Sequence, residues 1–298
     1  MSKNFRDMLE AQWSRGNFVC VGFDSEFSKI PVSAYGGGGE RVAGLVNTTT
    51  NFNRAIVEAT KDLVCAYKPN AAFYEANGIA GLTALYHTIL DIHTIAPDVP
   101  VILDVKRADI GNTNVGYVDA AFSFLQADAI TVHPYLGAEA LKPFLDLKDK
   151  GIIVLCRTSN PGAGEFQDMK VSYTSNQIPT CTHIVPLYQY VAKRVAEEWN
   201  KNGNCALVVG ATYPEELREV RQIIGDMPIL IPGVGFQQKD TPLEKQVEQV
   251  VSAGKDSRGR GMIINSSRGI IFASKGADFA EAARRETLKL HKLINQYR

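Results

Sequence analysis

Short runs of Val, Ile and Leu recur along the chain, and each is followed by a longer stretch in which apolar residues return every three or four positions. An unbroken apolar run is how a parallel strand buried on both faces reads, and the longer spacing is that of a helix covering it. Eight such runs stand out: Phe18–Asp24, Leu63–Lys68, Val101–Lys106, Ala129–His133, Gly151–Arg157, Ala206–Gly210, Ile229–Pro232 and Gly261–Asn265. Candidate helices lie between them, for example Asn51–Leu63 and Pro214–Ile224. The expected fold is therefore α/β, a (β/α)8 TIM barrel forming a single domain over residues 1–298. A doubly wound open sheet is the competing architecture, but no Gly-x-Gly-x-x-Gly follows the first strand, where that fold would carry it. Two longer segments interrupt the pattern, Ser25–Thr50 with its Gly36–Gly39 run and Asn160–Val185, and both fall on the rim where the strands end. The stretch Phe279–Leu293 has the spacing of an amphipathic helix that would close the barrel wall.

Composition narrows the function classes. With 298 residues, 45% hydrophobic and 21% charged, the chain has material for a large core without metals or disulfides. Lys plus Arg and Asp plus Glu both number 32, so no global field draws the protein to nucleic acid. No run approaches the roughly 20 apolar residues of a membrane span, and Met1–Asp7 has no apolar signal core, so a cytoplasmic protein is expected. The five cysteines are odd in number, widely spaced and mostly embedded in apolar stretches, which reads as buried reduced thiols. Asn47-Thr48-Thr49 and Asn265-Ser266-Ser267 match the glycosylation triplet, but they carry no weight without a secretion signal.

The sharpest chemical signal is Val101-Ile102-Leu103-Asp104-Val105-Lys106-Arg107-Ala108-Asp109, an apolar strand ending in alternating charge. Residues two apart share a strand face, so Asp104 and Lys106 are expected to point together into the barrel mouth, with Asp109 on the loop beyond. A lone Asp-x-Lys is more simply a structural ion pair. Here Lys68, in Lys68-Pro69-Asn70, and Asp24 end neighbouring strands, and four strand-end charges of alternating sign make a candidate site. After the last two strands come Pro232-Gly233-Val234-Gly235-Phe236-Gln237 and Asn265-Ser266-Ser267-Arg268-Gly269-Ile270-Ile271, where barrels commonly hold phosphate. Thr158-Ser159-Asn160-Pro161 offers hydroxyls and an amide to the polar edge of a heterocycle. His133 reads as an ordinary rim histidine, and the six-residue spacing of His87 and His93 does not suit a metal site, so none is expected.

Asp-x-Lys-x-x-Asp-Ile-x-x-Thr from Asp104 to Thr113 resembles the signature of the orotidine 5′-monophosphate decarboxylase family. The resemblance extends through Asp24, Lys68-Pro69-Asn70, Thr158–Pro161, Pro232–Gly235 and Ser267-Arg268, and is similar to the family's longer-chain branch. The Gly36–Gly39 loop departs from the family pattern. The resemblance implies a cofactor-free enzyme that converts orotidine 5′-monophosphate to uridine 5′-monophosphate and CO2, with Lys106 as proton donor. Asp104, Lys106 and Asp109 would surround the reacting carboxylate, and Asp24 and Lys68 would bind the ribose with Asn70 nearby. Thr158 and Ser159 would read the pyrimidine, while Gln237, Arg268 and the backbone around Gly235 and Ser267, close to Pro232, would hold phosphate. It also implies a homodimer in which Asp109, Ile110 and Thr113 reach into the neighbour's site. The alternatives are a Mg²⁺-dependent phosphosugar aldolase or decarboxylase of the same barrel type, which would use the acids as ligands, and a nucleotide-binding barrel without activity.

Overall fold

The structure is a computed structural model and describes residues 4–36, 41–174, 182–235 and 241–298. Ten strands occur among the described residues. They are β1 (Val19–Phe23), β2 (Val64–Pro69), β3 (Ile102–Arg107), β4 (Ala129–Val132), β5 (Gly151–Arg157), β6 (Lys170–Thr174), β7 (Thr182–Pro186), β8 (Cys205–Val209), β9 (Ile229–Pro232) and β10 (Met262–Ser266). Eight of them form one parallel sheet in the order β2-β1-β10-β9-β8-β5-β4-β3. Its two edges meet through the isolated bridges Tyr67↔Val101 and Asn70↔Asp104, which bring the sheet round into a nearly closed barrel. The eight expected strands are the eight that build it.

Strands β1, β2, β4, β8 and β10 are buried at every position, which is why their sequences do not alternate. One face fills the barrel and the other lies under helices. Pro214–Ile224 forms a helix with Pro at its start, Glu215 and Glu216 in its first turn, and Leu217, Val220 and Ile224 turned inward. The last helix runs Phe279–Tyr297, longer than expected, and packs against helices Arg41–Thr60 and Leu243–Gly254, with Phe52 stacked on Phe272 and tilted against Phe279. It does close the wall.

The excursions differ from expectation in content. The helix after β1 begins at Arg41, so residues 41–50 are helical and not loop. Gly44, Asn47 and the run Thr48-Thr49-Thr50 are poor helix formers, but all three threonines are buried, and packing overrides propensity. The rest of that excursion contains two short 3-10 turns, Phe27–Lys29 and Val32–Ala34, while Gly37, Gly38 and Gly39 lie outside the described residues. The second excursion holds the antiparallel hairpin β6–β7. Cys20, Cys65, Cys156 and Cys205 are free and buried, whereas Cys181 lies outside the described residues.

One element precedes the first strand and was not among the expected ones, although Phe5, Met8, Leu9 and Trp13 return at helical spacing. Helix Phe5–Ser14, capped by Asn4, lies across the ends where the strands begin: Trp13 Nε1 donates to Met262 O at 2.9 Å, and Phe5 lies against Gly151. A Cβ on Gly151 would fall 2.2 Å from the Phe5 ring, so only glycine fits there. The barrel is thus stoppered at one end and open at the other.

Candidate active site

At the open end, β3 breaks its own regularity. Lys106 has φ 49°, and the pairing of β3 with β4 shifts between Leu103 and Arg107. The hydroxyl of Thr131 on β4 accepts from the N–H of both Val105 and Lys106, each at 3.0 Å, and donates to Asp104 Oδ1 at 2.9 Å. A left-handed conformation at a non-glycine residue costs about 1–3 kcal/mol and persists only where its surroundings impose it. Here it brings the Lys106 ammonium to 2.6 Å from Asp104 Oδ1. The two side chains meet as expected, but through a bulge and not through plain strand alternation.

The other oxygen of Asp104 lies 3.0 Å from the Lys68 ammonium on β2. Burial pushes the Asp104 carboxyl up, but the charges of Lys68 and then Lys106 outweigh it and hold the group well below the usual carboxylate range. Burial likewise pushes Lys68 down, and Asp104 and Asp24 overcome it, so Lys68 stays a firm cation. Asp24 completes the row, with its buried Oδ1 lacking any hydrogen-bond partner in the protein. Such an atom is costly unless a ligand supplies the missing donor.

These groups line one wall of a cavity of about 410 Å³. Asn70 lies on the same side, and Thr158, Ser159, Pro232, Ser267 and Arg268 come in from the other. Two glycines permit this crowding. A Cβ on Gly22 would fall 2.0 Å from Ser267 Oγ, and one on Gly210 would fall 2.6 Å from Ser159 Cα. Leu155, Val208 and Leu230 give the cavity an apolar floor. A flat ring fits such a floor, with polar groups at its edges.

Not every expected residue lies in this cavity. Asp109, Ile110, Thr113 and Gly235 do not line it, and neither does His133. Asp109 holds its own loop: its N–H donates to Asn114 Oδ1 at 2.9 Å, and its Oδ1 accepts from the Ile110 N–H at 2.6 Å. Ile110 and Thr113 face outward, Ile110 with 63% of its surface exposed. Gly235, at φ 85°, needs to be glycine, but its N–H donates to Gln246 Oε1 at 2.9 Å instead of facing the cavity. Gln237 lies outside the described residues. Two polar cavity residues were missed, Thr131 and Gln167, along with the apolar Leu155, Val208 and Leu230. Thr131 was detectable as a hydroxyl inside the otherwise apolar β4; Gln167 ends the single-turn helix Gly164–Gln167 and carries no such signal.

Residues 42–285 match the model of the orotidine 5′-phosphate decarboxylase / HUMPS family. The chain belongs to this family. An orotidine 5′-phosphate decarboxylase of Ralstonia pickettii is 46% identical over 295 residues, covering 99% of both chains. Among solved structures, Leishmania donovani OMP decarboxylase is 33% identical with a TM-score of 0.74, over 97% of this chain and 99% of its own. Leishmania donovani UMP synthase is 34% identical with a TM-score of 0.80, and this chain spans 56% of its length. Like these decarboxylase relatives, the chain is a barrel enzyme. Among its described residues no cluster of three or more His, Cys, Asp and Glu is placed to hold a metal ion, and no helix is long and apolar enough to cross a membrane.

Proposed function

We propose that this protein decarboxylates orotidine 5′-monophosphate to uridine 5′-monophosphate and CO2 in pyrimidine synthesis, with Lys106 as the proton donor. The observation that carries this reading is the Lys68–Asp104–Lys106 row, in which one carboxylate holds two ammoniums at 3.0 and 2.6 Å above a cavity sized for a nucleotide. Loss of CO2 from C6 of the ring leaves an electron pair in the ring plane, orthogonal to the π system, so no adjacent carbonyl absorbs it by resonance. A cation must face that carbon. Lys106 is half exposed to the cavity mouth while Lys68 is buried, so Lys106 is the ammonium that meets C6, stabilises the developing charge and then delivers a proton to it.

One charge at ~4 Å supplies about 4 kcal/mol at an effective dielectric near 20, so other terms contribute. Asp104, with Asp109 contributed by a second copy, opposes the substrate carboxylate, and the repulsion is relieved as CO2 departs. Asp24 and Lys68, with Asn70, take the ribose hydroxyls, and the orphaned Asp24 Oδ1 is an acceptor suited to one of them. Thr158 and Ser159 read the pyrimidine edge. Pro232, Ser267 and Arg268, with Gly235 and Gln237 on the loop after β9, hold the phosphate, whose remote binding energy is used to orient the ring. The Mg²⁺-dependent alternative fits less well, because a divalent ion on Asp104 would have to displace two ammoniums from its oxygens.

Residues 1–298 act as one barrel domain on this reading, supported by the single eight-stranded sheet and the N-terminal helix docked on it. The chain pairs with a second copy, and Asp109, Ile110 and Thr113 complete the neighbour's cavity. In support, these residues stand outside the chain's own cavity, and Ile79, Leu82, Tyr86 and Leu90 form an exposed apolar stripe on helix Gly78–Ile95, continued by Phe124. Four free buried thiols fit a reducing cytoplasm. The deciding experiment mixes purified protein with orotidine 5′-monophosphate and follows CO2 and the change in ring absorbance. Stoichiometric conversion that survives exhaustive EDTA is expected; absence of CO2, or a loss restored only by Mg²⁺, overturns the reading.

A further inference from the structure

Gln167 sits at the cavity edge with both ends of its amide on one residue. Its Oε1 accepts from the backbone N–H of Thr158 at 2.8 Å, and its Nε2 lies 3.0 Å from Thr158 Oγ1. A backbone N–H only donates, so it fixes which end of the amide is oxygen, and the Nε2 must then donate to the hydroxyl. The hydroxyl proton is held within the same segment, on Asn160 Oδ1 at 2.7 Å or, at longer range, on Gln167 Oε1 at 3.3 Å. Thr158 Oγ1 has therefore given away its only hydrogen and filled one lone pair. What remains for a ligand in the cavity is one lone pair, an acceptor with no alternative role.

The loop that delivers Gln167 is anchored at its next residue. Arg157, 2% exposed, sets its Nε 2.9 Å from Asp168 Oδ1 and its Nη2 3.0 Å from Oδ2, and its cation stacks 3.8 Å over the Tyr213 ring. Gly164 makes room for this pair, since a Cβ there would fall 2.6 Å from Asp168 Oδ2.

We propose that Gln167 is a positioning residue that, together with Asn160 as acceptor of the hydroxyl proton, sets pyrimidine specificity by locking the Thr158 hydroxyl as a hydrogen-bond acceptor. A locked acceptor pairs with the N3–H of a uracil-type ring and opposes the bare N3 of a cytosine-type ring, where two lone pairs would meet. An unlocked hydroxyl would rotate and serve either. The inference rests on the reading that Thr158 faces the pyrimidine, and the test separates the two.

The affinities of uridine 5′-monophosphate and cytidine 5′-monophosphate are measured by calorimetry for the intact protein and for Gln167→Met, Thr158→Val and the double variant. Asp168→Asn, which loosens the loop without touching the amide, serves as a structural control. Gln167→Met is expected to reduce the uridylate-to-cytidylate affinity ratio about tenfold, Thr158→Val to reduce it comparably, and the double variant no further than either. Asp168→Asn is expected to weaken both nucleotides alike. An unchanged ratio in Thr158→Val overturns the placement of Thr158 and the inference with it. A ratio moved by Thr158→Val but not by Gln167→Met, or effects that add, or an equal shift in Asp168→Asn, overturns the role of Gln167 alone.

Discussion

The two ends of the barrel both bury charge, and they treat it in opposite ways. At the stoppered end, Arg221 gives its guanidinium to four carbonyls, those of Gly254, Gly225, Met227 and Gly261, at 2.6–3.0 Å. Around it Glu10, Asp256, Arg258 and Arg260 form a tied network. Every strong donor there is answered by the chain itself. At the open end, Asp24 Oδ1 has no partner, Lys106 stands half exposed in a left-handed conformation, and Asp104 is shared between two cations. The first arrangement stabilises the fold; the second leaves interactions open, which the proposed substrate would complete.

Substitutions at the two ends should therefore separate activity from stability. Lys106→Ala is expected to lower turnover by about 10²–10⁴-fold or more, with nucleotide binding still measurable and melting temperature little changed. Steady-state kinetics beside a thermal melt check this, and near-normal turnover would remove Lys106 as proton donor. At the other end, Arg221→Met strands four carbonyls and is expected to destabilise the fold by about 3–5 kcal/mol. Turnover per folded molecule, counted by titration with a tight-binding nucleotide, should be unchanged. If activity fell in proportion to no unfolding, the contrast between the ends would be false.

Within the open end, a smaller effect divides the proposed phosphate side from the charged row. Arg268→Ala should weaken intact nucleotide by about 1–3 kcal/mol while leaving the phosphate-free nucleoside almost unaffected. Equal losses for both would place the guanidinium away from phosphate.

Much of this contrast was legible in the chain, for a definite physical reason. Strands buried on both faces leave unbroken apolar runs, and a charge at the end of such a run is expensive enough to announce a purpose, as Asp104, Lys106, Lys68 and Asp24 do. What escaped has no local signature. Nothing in Lys106 itself encodes φ 49°; the neighbouring strand's Thr131 imposes it. The start of a helix at Arg41 depends on burial of three threonines, and the place of Gln167 depends on an ion pair between Arg157 and Asp168 in the loop that carries it. Asp109, Ile110 and Thr113 stand outside this chain's cavity, and only the family resemblance, not any local pattern, points them toward a second copy.

The smallest expected difference is in response to acid. Asp104 is held below the usual carboxylate range, so its stabilising contribution is fully present above the unfolded pKa of about 4 and is lost only as pH falls through its lower folded value. Lys68 is held above its ordinary value, so its contribution is fully present below about pH 10.4 and is lost only as pH rises through its folded value. Between about pH 5 and 9 the Lys68–Asp104 pair is therefore silent. His291, on the last helix, behaves differently: burial and then the nearby Arg298 push its imidazole down, only partly opposed by Asp62. A base whose folded pKa is depressed takes up its proton more readily when unfolded, so stability declines as pH drops from about 6.5 toward the folded value. Denaturant melts at stepped pH should show a shallow decline below neutrality that His291→Gln flattens and Lys68→Met, for all its damage to the site, does not. A decline that persists in His291→Gln and vanishes in Lys68→Met would reverse the assignment and place the acid-sensitive charge at the catalytic end.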